Sequence, residues 1–537
     1  MRKLYLFFLF IITQFSFAQE DAWVYFTDKQ QVDYYLQNPL EMLSQRALDR
    51  RVNQGISLDS KDVPITASYR QAIENQAGIT VLAQSKWMNC LHVRGSVENI
   101  QALTQLPFVA EVFFANRTLN TAGRHSSNNK ISRVQKNLET EETFLYGNSS
   151  NQIQMLNGHL LHQNNYTGAG KIIAVMDNGF PGVNIMSPFQ RLMQNNQILG
   201  GYDFVNRDEN VFDGGTHGTL VLSTMGGFVD NQLVGTAPDA AYYLFKTEAN
   251  DYENPLEESL WVEAAEMADS LGVDIINTSL GYSTFDNPAY NYTYADMNGV
   301  TTFSSRGADI AFSRGMFCVT SAGNSGSSSW LYISTPADAI NTLTVGAVNA
   351  AGNYASFSSI GPSSDLRIKP DVVAQGVSSI VATASGTISS ANGTSFSGPI
   401  TAGLVACLWQ ALPQKTNAEL LNIIRESAHL YQNPTAQLGY GIPNFNLALE
   451  NALSLGEVKT NEVLVYPNPV ADQLTLILPS ENTNATFELY NQLGQLIFQS
   501  SVLSTQKSID FQSFSNGIYF YKVTFQGEEI QGKLIKK

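Results

Sequence analysis

The sequence predicts an α/β domain built on a parallel sheet, set between a small α+β module and a small all-β module. Three observations carry this reading. Between about residues 152 and 455, continuous apolar runs such as 171–176 alternate with helical spacing such as 257–271, the pattern of strands buried on both faces between helices. Ahead of it, residues 19–120 hold a compact strand–helix–strand pattern. Beyond Gly456 the helical period stops and short alternating strands begin.

Length and charge bound the function. A chain of 537 residues exceeds what one hydrophobic core organises, so several domains are expected. A net charge of −16, from 31 Lys and Arg against 47 Asp and Glu, repels phosphates and argues against a nucleic-acid partner. Arg2 and Lys3 precede an apolar run from Leu4 to Phe17 that ends in small residues, so residues 1–18 read as a secretory signal peptide cut near Ala18-Gln19. The run is too short to span a bilayer, and no later stretch reaches twenty apolar residues, so no transmembrane segment is expected in the mature protein. Three cysteines form no disulfide framework, and Cys318 and Cys407, in apolar stretches, are expected as reduced core residues.

In chain order, residues 86–93 have strand character, Ser96 caps a helix over 97–106, and 107–114 is again strand-like, which makes 19–120 one module. Residues 121–151 are polar and aperiodic, a linker. In the central domain, 152–455, the first buried strand ends in Asp177 and Gly179, and the helix 257–271 leads into a strand at 273–277. Two more strands follow at 317–320 and 342–345. Ligands of such a sheet gather at the carboxyl ends of its strands, so the polar residues there are the candidates for chemistry. Residues 461–537 carry five short strands at 464–466, 473–478, 486–490, 495–498 and 517–523, a small β-sandwich.

Gly393-Thr394-Ser395-Phe396-Ser397-Gly398-Pro399 runs directly into an apolar helical sequence. A small, Gly-flanked Ser at the start of a buried helix has free N–H groups and a positive dipole end beside it, which suits a nucleophile; Pro399 is expected in the first turn. His217, in Gly215-Thr216-His217-Gly218, supplies a base, and Asp177 a carboxylate to orient the imidazole and stabilise it once protonated. Asn324, in Ser321-Ala322-Gly323-Asn324, has an amide able to donate to an oxyanion. An α/β-hydrolase reading fails because Ser397 stands where the nucleophile elbow needs Gly and no Asp-then-His pair follows Ser395.

In this order the motifs Ala174-Val175-Met176-Asp177, His217-Gly218-Thr219, Gly235-Thr236-Ala237-Pro238, Asn277-Thr278-Ser279-Leu280-Gly281, Ser321-Ala322-Gly323-Asn324 and Gly393-Thr394-Ser395 give residues 152–452 a specific resemblance to the subtilisin-like serine proteases. The resemblance implies a three-layer domain with a seven-stranded parallel sheet and a triad of Asp177, His217 and Ser395. It also implies an oxyanion hole from Asn324 and the Ser395 N–H, and peptide-substrate binding along Ser279, Leu280 and Gly281 and at Gly323. It further implies that residues 19–120 are an inhibitory propeptide, a partner the enzyme itself removes. The C-terminal module, with Tyr466-Pro467-Asn468-Pro469, Asn491-Gln492-Leu493-Gly494 and the Lys533 to Lys537 ending, resembles the type A sorting domain of the type IX secretion system of Bacteroidetes. That implies passage through the periplasm to the cell surface or medium. Departures from the family pattern are Asn178 for Ser or Thr, Phe396 for Met and Ile400 for His, all bearing on packing. A rival reading, an adhesive protein on an inert protease scaffold, would leave the propeptide uncut.

No catalytic cofactor is required by this chemistry. His159 and His162 are read as ordinary packing residues, since no third ligand lies near them. The oxygen-rich loop with Asp203, Asp208, Glu209 and Asp213 is the candidate for a structural calcium ion, weighed against a plain solvated loop.

Overall fold

The computed structural model describes residues 19–120, 144–456, 464–466, 468–478, 485–502, 506–525 and 528–537. The signal peptide read at 1–18 and most of the linker read at 121–151 lie outside the described residues. Residues 144–151 belong to the folded domain instead. Tyr146 is buried, its hydroxyl bonds His162 Nδ1 at 2.8 Å, and a helix begins at Ser150.

The central domain holds a seven-stranded parallel sheet in the spatial order Val372–Gln375, Leu343–Val348, Phe317–Ser321, Ile275–Thr278, Ile172–Asp177, Ala241–Lys246, Ile198–Asp203. Its middle strands are apolar on both faces because helices cover both: Thr394–Ala411 and His217–Gly226 on one side, Leu256–Leu271 and Phe303–Ser313 on the other. From Ile172–Asp177 the chain passes to one flank and later returns to Ile275–Thr278 on the other. The crevice beyond these two strands is therefore the switch point where such sheets bind ligands. Cys90, Cys318 and Cys407 are all reduced and buried.

The N-terminal module is a four-stranded antiparallel sheet, Ile79–Ser85, Cys90–Gly95, Glu20–Phe26 and Val109–Phe114 in spatial order. One face covers its own helices, and the other packs on Leu256–Leu271 and Phe303–Ser313. Trp23 stacks on Phe303 with centroids 5.0 Å apart and donates to Ser259 Oγ at 2.9 Å. The strand expected over 86–93 starts only at Cys90. Ahead of it Glu266 gathers the N–H groups of Lys86 and Trp87 and the Ser85 hydroxyl, all within 2.9 Å, and Asn89 is left-handed. A contact remote in sequence thus makes a turn of residues with strand propensity. Ser96 caps the following helix through Asn99 N, as its position predicts, and the helix runs Val97–Ala102 before tightening into a 3₁₀ turn.

The C-terminal unit is a separate antiparallel β structure of a three-stranded and a four-stranded sheet closing on Val470, Leu474, Phe487, Leu489, Val523 and Leu534. Two strands, Gln506–Asp510 and Glu528–Lys536, join the five predicted.

Candidate active site

Asp177 is the last residue of the interior strand Ile172–Asp177, fully buried, and accepts from Asn178 N at 2.9 Å. Its carboxylate faces His217 Nδ1, with oxygens at 2.8 and 3.0 Å. His217 begins a helix whose second residue must be glycine, since a Cβ on Gly218 would lie 2.5 Å from Gly179 O and 2.9 Å from Asp177 Cβ. The imidazole keeps 32% of its surface exposed and has its pKa raised above the ordinary histidine value. The Asp177 charge is the main cause and outweighs burial; their hydrogen bond and the nearby Glu248 add to it. With Nδ1 committed to Asp177, Nε2 is the ring nitrogen left for proton transfer.

Ser395 is the second residue of the helix Thr394–Ala411, so its N–H has no carbonyl within the helix to bond. Its hydroxyl rests on the Ser279 carbonyl at 3.3 Å, and the Ser279 hydroxyl donates to the Ser395 carbonyl at 3.1 Å. The second bond corrects the expectation for Pro399, which lies in the helix interior and not its first turn. Its ring removes the N–H that would bond Ser395 O four residues back, and Ser279 Oγ satisfies that carbonyl instead.

Asn324 follows the strand Phe317–Ser321, and its Oδ1 accepts from Thr394 N at 2.9 Å and Thr394 Oγ1 at 3.1 Å. A backbone N–H can only donate, which fixes the amide oxygen on Thr394 and leaves Nδ2 as the free donor at the front of the helix. Thr394 Oγ1 also accepts from Gly323 N at 3.2 Å, and Ser321 Oγ donates to Thr394 O at 2.7 Å, so the end of this one strand holds the first helical residue at three points. Past Thr278 the segment 279–281 leaves the sheet, with Gly281 exposed, and Tyr282 is tied to Thr335 by backbone bonds of 2.8 and 3.2 Å.

Sequence reasoning missed the Ser279 hydroxyl, Thr394 and Glu248 as contributors. Glu248, two residues past the strand Ala241–Lys246, is buried, takes hydrogen bonds from the Tyr282 and Thr247 hydroxyls, and has its pKa pushed up by burial. Its place at a strand end was the available signal. Among the departures, Phe396 packs on His217 with centroids 6.2 Å apart, and Asn178 Nδ2 bonds Asn250 Oδ1 at 3.2 Å.

The acidic loop does not fit a calcium ion as it stands. Lys246 Nζ lies 2.7 Å from Asp203 Oδ2 and 3.1 Å from Asp213 Oδ1, so an ammonium already occupies the place of a cation. Asp203 is further committed to Val205 N, Asn206 N and Asn206 Nδ2, and Asp208 caps Asn210 N. Among the described residues no group of three His, Cys, Asp or Glu side chains converges as a metal site. His162 is packed between Tyr146 OH and Thr236 O, and burial lowers its pKa to about 4.

Residues 168–442 match the profile of the Subtilase family, more than half of the chain. The chain belongs to the subtilase family. Residues 21–133 match the Peptidase S8 propeptide domain of Bacteroidota, and 464–537 the secretion system C-terminal sorting domain. Subtilisin of Bacillus pumilus is 32% identical over 305 residues, 56% of this chain and 98% of that protein. Subtilisin E of Bacillus subtilis (strain 168) shares the same 32% over 305 residues, 70% of its length, and subtilisin BL of Lederbergia lenta is 31% identical over 271 residues, 50% of this chain and 86% of its own. This subtilase is thus a subtilisin-like serine endopeptidase with a propeptide and a type IX sorting domain. Among the described residues no helix is long and apolar enough to cross a membrane.

Proposed function

We propose that this subtilase hydrolyses peptide bonds of proteins through an acyl-enzyme on Ser395. The Asp177–His217 pair beside the front of the helix Thr394–Ala411 is the observation that carries the reading. In the structure the Ser395 hydroxyl bonds the Ser279 carbonyl and not His217, so this reading requires it to turn to His217 Nε2, which accepts the proton as Oγ attacks the substrate carbonyl. Asp177 stabilises the imidazolium so formed. The oxyanion takes hydrogen bonds from Ser395 N–H and Asn324 Nδ2. Collapse expels the amine with the proton from His217, and water repeats the sequence to release the acid. The substrate backbone pairs with Ser279, Leu280 and Gly281 on one side and Gly323 on the other.

The catalytic unit is residues 152–455 together with the packed segment from Phe144. Residues 19–120 inhibit it until the enzyme cuts its own chain between 120 and 151, and residues 461–537 address it through the type IX machinery to the surface or medium. The test compares the native protein with Ser395→Ala in a host without other proteases. The native protein should digest a denatured protein substrate and lose its N-terminal module, and the variant should do neither. Digestion by Ser395→Ala would sink the mechanism, and trimming of it at the same bond would sink self-processing. A chain ending near Gly456 should stay active yet remain in the periplasm of its native host.

A further inference from the structure

The segment 283–300 leaves the end of the proposed substrate strand and carries two 3₁₀ turns, Pro288–Tyr290 and Tyr294–Asp296. Tyr292 N donates to Ser283 O at 2.9 Å, which fixes this segment's aromatic face beside the chain just past Gly281. Into it reaches Arg117 of the propeptide. Its guanidinium carbon stands 4.7 Å from the Tyr292 ring centroid, and Nη1 lies 2.5 Å from Asp296 Oδ1.

Both walls of this slot are held from behind by groups of the enzyme itself. The Tyr292 hydroxyl donates to Glu258 Oε1 at 2.5 Å, and Glu258 is fully buried. Asp296 Oδ2 accepts from Thr293 N at 2.7 Å and Thr293 Oγ1 at 2.8 Å, a capping box that leaves Oδ1 for the guanidinium. Burial alone would raise the Asp296 carboxyl, and the bonds from Arg117 and Thr293 bring it below its ordinary value, so it is charged when occupied. None of these supports comes from Arg117, so the walls of the slot do not depend on the residue that fills it.

The chemistry selects arginine. A planar guanidinium lies over a ring and still turns an N–H edge to a carboxylate, while an ammonium has no face to stack. The location selects the substrate. A peptide pairing antiparallel with residues 279–281 runs toward its own N-terminus as the enzyme chain runs to higher numbers. Ser283 therefore stands opposite a residue about four positions upstream of the one attacked at Ser395.

We infer that the Tyr292–Asp296 slot is a subsite for an arginine side chain on the N-terminal side of the cleaved bond, and that Arg117 fills it in the precursor as a stand-in. This rests on the proposed protease mechanism and adds to it a preference for basic peptides.

The test uses the processed native enzyme and fluorogenic peptides that differ only in carrying Arg, Lys, Gln or Glu at each of the third to sixth positions before the scissile bond. At one of these positions Arg should exceed Gln by about tenfold in kcat/KM, mainly through KM, with Lys between them and the ratio shrinking as salt rises. Asp296→Asn should bring the Arg to Gln ratio close to one, and Tyr292→Leu should lower it in part. Native enzyme that cleaves these peptides with no arginine preference at any of the four positions overturns the subsite alone, whether or not the variants fold. A preference that survives Asp296→Asn overturns it too, by placing the recognition elsewhere. Failure to cleave any peptide overturns the protease reading, and the slot with it.

Discussion

Ser279 and Ser395 are bonded to each other twice, each hydroxyl donating to the other's carbonyl, at 3.1 and 3.3 Å. One bond parks the nucleophile, and the other satisfies the carbonyl that Pro399 leaves without an amide. Ser279→Ala should therefore cost about 1–2 kcal/mol of stability, the usual effect of orphaning a buried acceptor. In a Pro399→Ala background, where an amide returns to bond Ser395 O, the same change should cost about 1 kcal/mol less. Melting the four proteins with activity quenched by a serine-protease inhibitor measures the coupling, and strictly additive costs would refute the assignment.

Asn324 and Thr394 test the oxyanion site. Asn324→Ala should lower kcat by about 10²–10³ with KM little changed, because the lost donor acts on charge that exists only in the transition state. Thr394→Val keeps the backbone N–H on Asn324 Oδ1 and loses the hydroxyl that links Asn324 to Gly323 N. Its loss in kcat should be smaller, about tenfold. Equal losses in kcat and in substrate affinity would show that these residues act on ground-state binding instead.

The pH profile follows from the Asp177–His217 pair. Only neutral imidazole accepts the Ser395 proton, so kcat/KM should rise through a pKa displaced upward from the ordinary histidine value of about 6.5. The sign for stability is opposite. A raised histidine stabilises the fold most below its unfolded pKa, and that contribution disappears as pH climbs through the folded value. Asp177→Asn should move the acid limb of kcat/KM downward and reduce kcat by about 10⁴. A limb that stays in place would mean another group sets it.

Much of this site was legible because its parts sit where strand ends and helix starts must bring them. Asp177 closes an apolar run, His217 opens a helix behind glycines, and Ser395 stands in the first turn of a helix buried from Thr394 to Trp409. What escaped depends on contacts between residues far apart in sequence. Nothing in 19–60 announces that Glu20–Phe26 is an inner strand of its sheet, since only pairing with Cys90–Gly95 and Val109–Phe114 makes it so. The helix Gln45–Asn53 is as silent, because its buried face carries Arg50 and Arg51 beside Ala47, and both arginines reach Asp269, over two hundred residues away. Likewise the carboxylates of 203–213 left a calcium site open beside a plain solvated loop while Lys246, at the end of another strand, was out of view.

The arginine pair of that helix gives a prediction for the precursor. Arg50 and Arg51 both bond Asp269 of the enzyme, Arg51 at 2.8 Å, and Arg51 also bonds Asp62 at 2.9 Å, all with side chains at most 4% exposed. Removing one partner of a buried ion pair leaves the others charged and dry, at about 3–5 kcal/mol. Asp269→Asn should therefore destabilise the uncleaved Ser395→Ala precursor by about that much and the processed enzyme far less. Similar losses in both would mean that the network supports the enzyme rather than its union with the propeptide.

Lys246 stands between the carboxylates of Asp203 and Asp213, near the two ends of the loop that leads to His217. Asp203 is fully buried, so Lys246→Ala leaves its charge with backbone and amide donors alone, which should cost about 3–5 kcal/mol. The effect should reach the active site. Gly214 is packed so closely on Lys246 that a Cβ there would lie 3.1 Å from Cε, and Gly215 N bonds Asn178 O at 3.0 Å next to Asp177. Loosening this stretch should shift the orientation of His217 and lower kcat while the Asp177–His217 bond itself remains available. Calcium gives the decisive arm. With the ammonium gone, a hard cation can take its place among oxygens, so added calcium should raise the thermal midpoint of Lys246→Ala more than that of the native enzyme. An equal calcium response in both proteins would mean that the loop binds no cation in place of Lys246, and a costless Lys246→Ala would mean that Asp203 never depended on it.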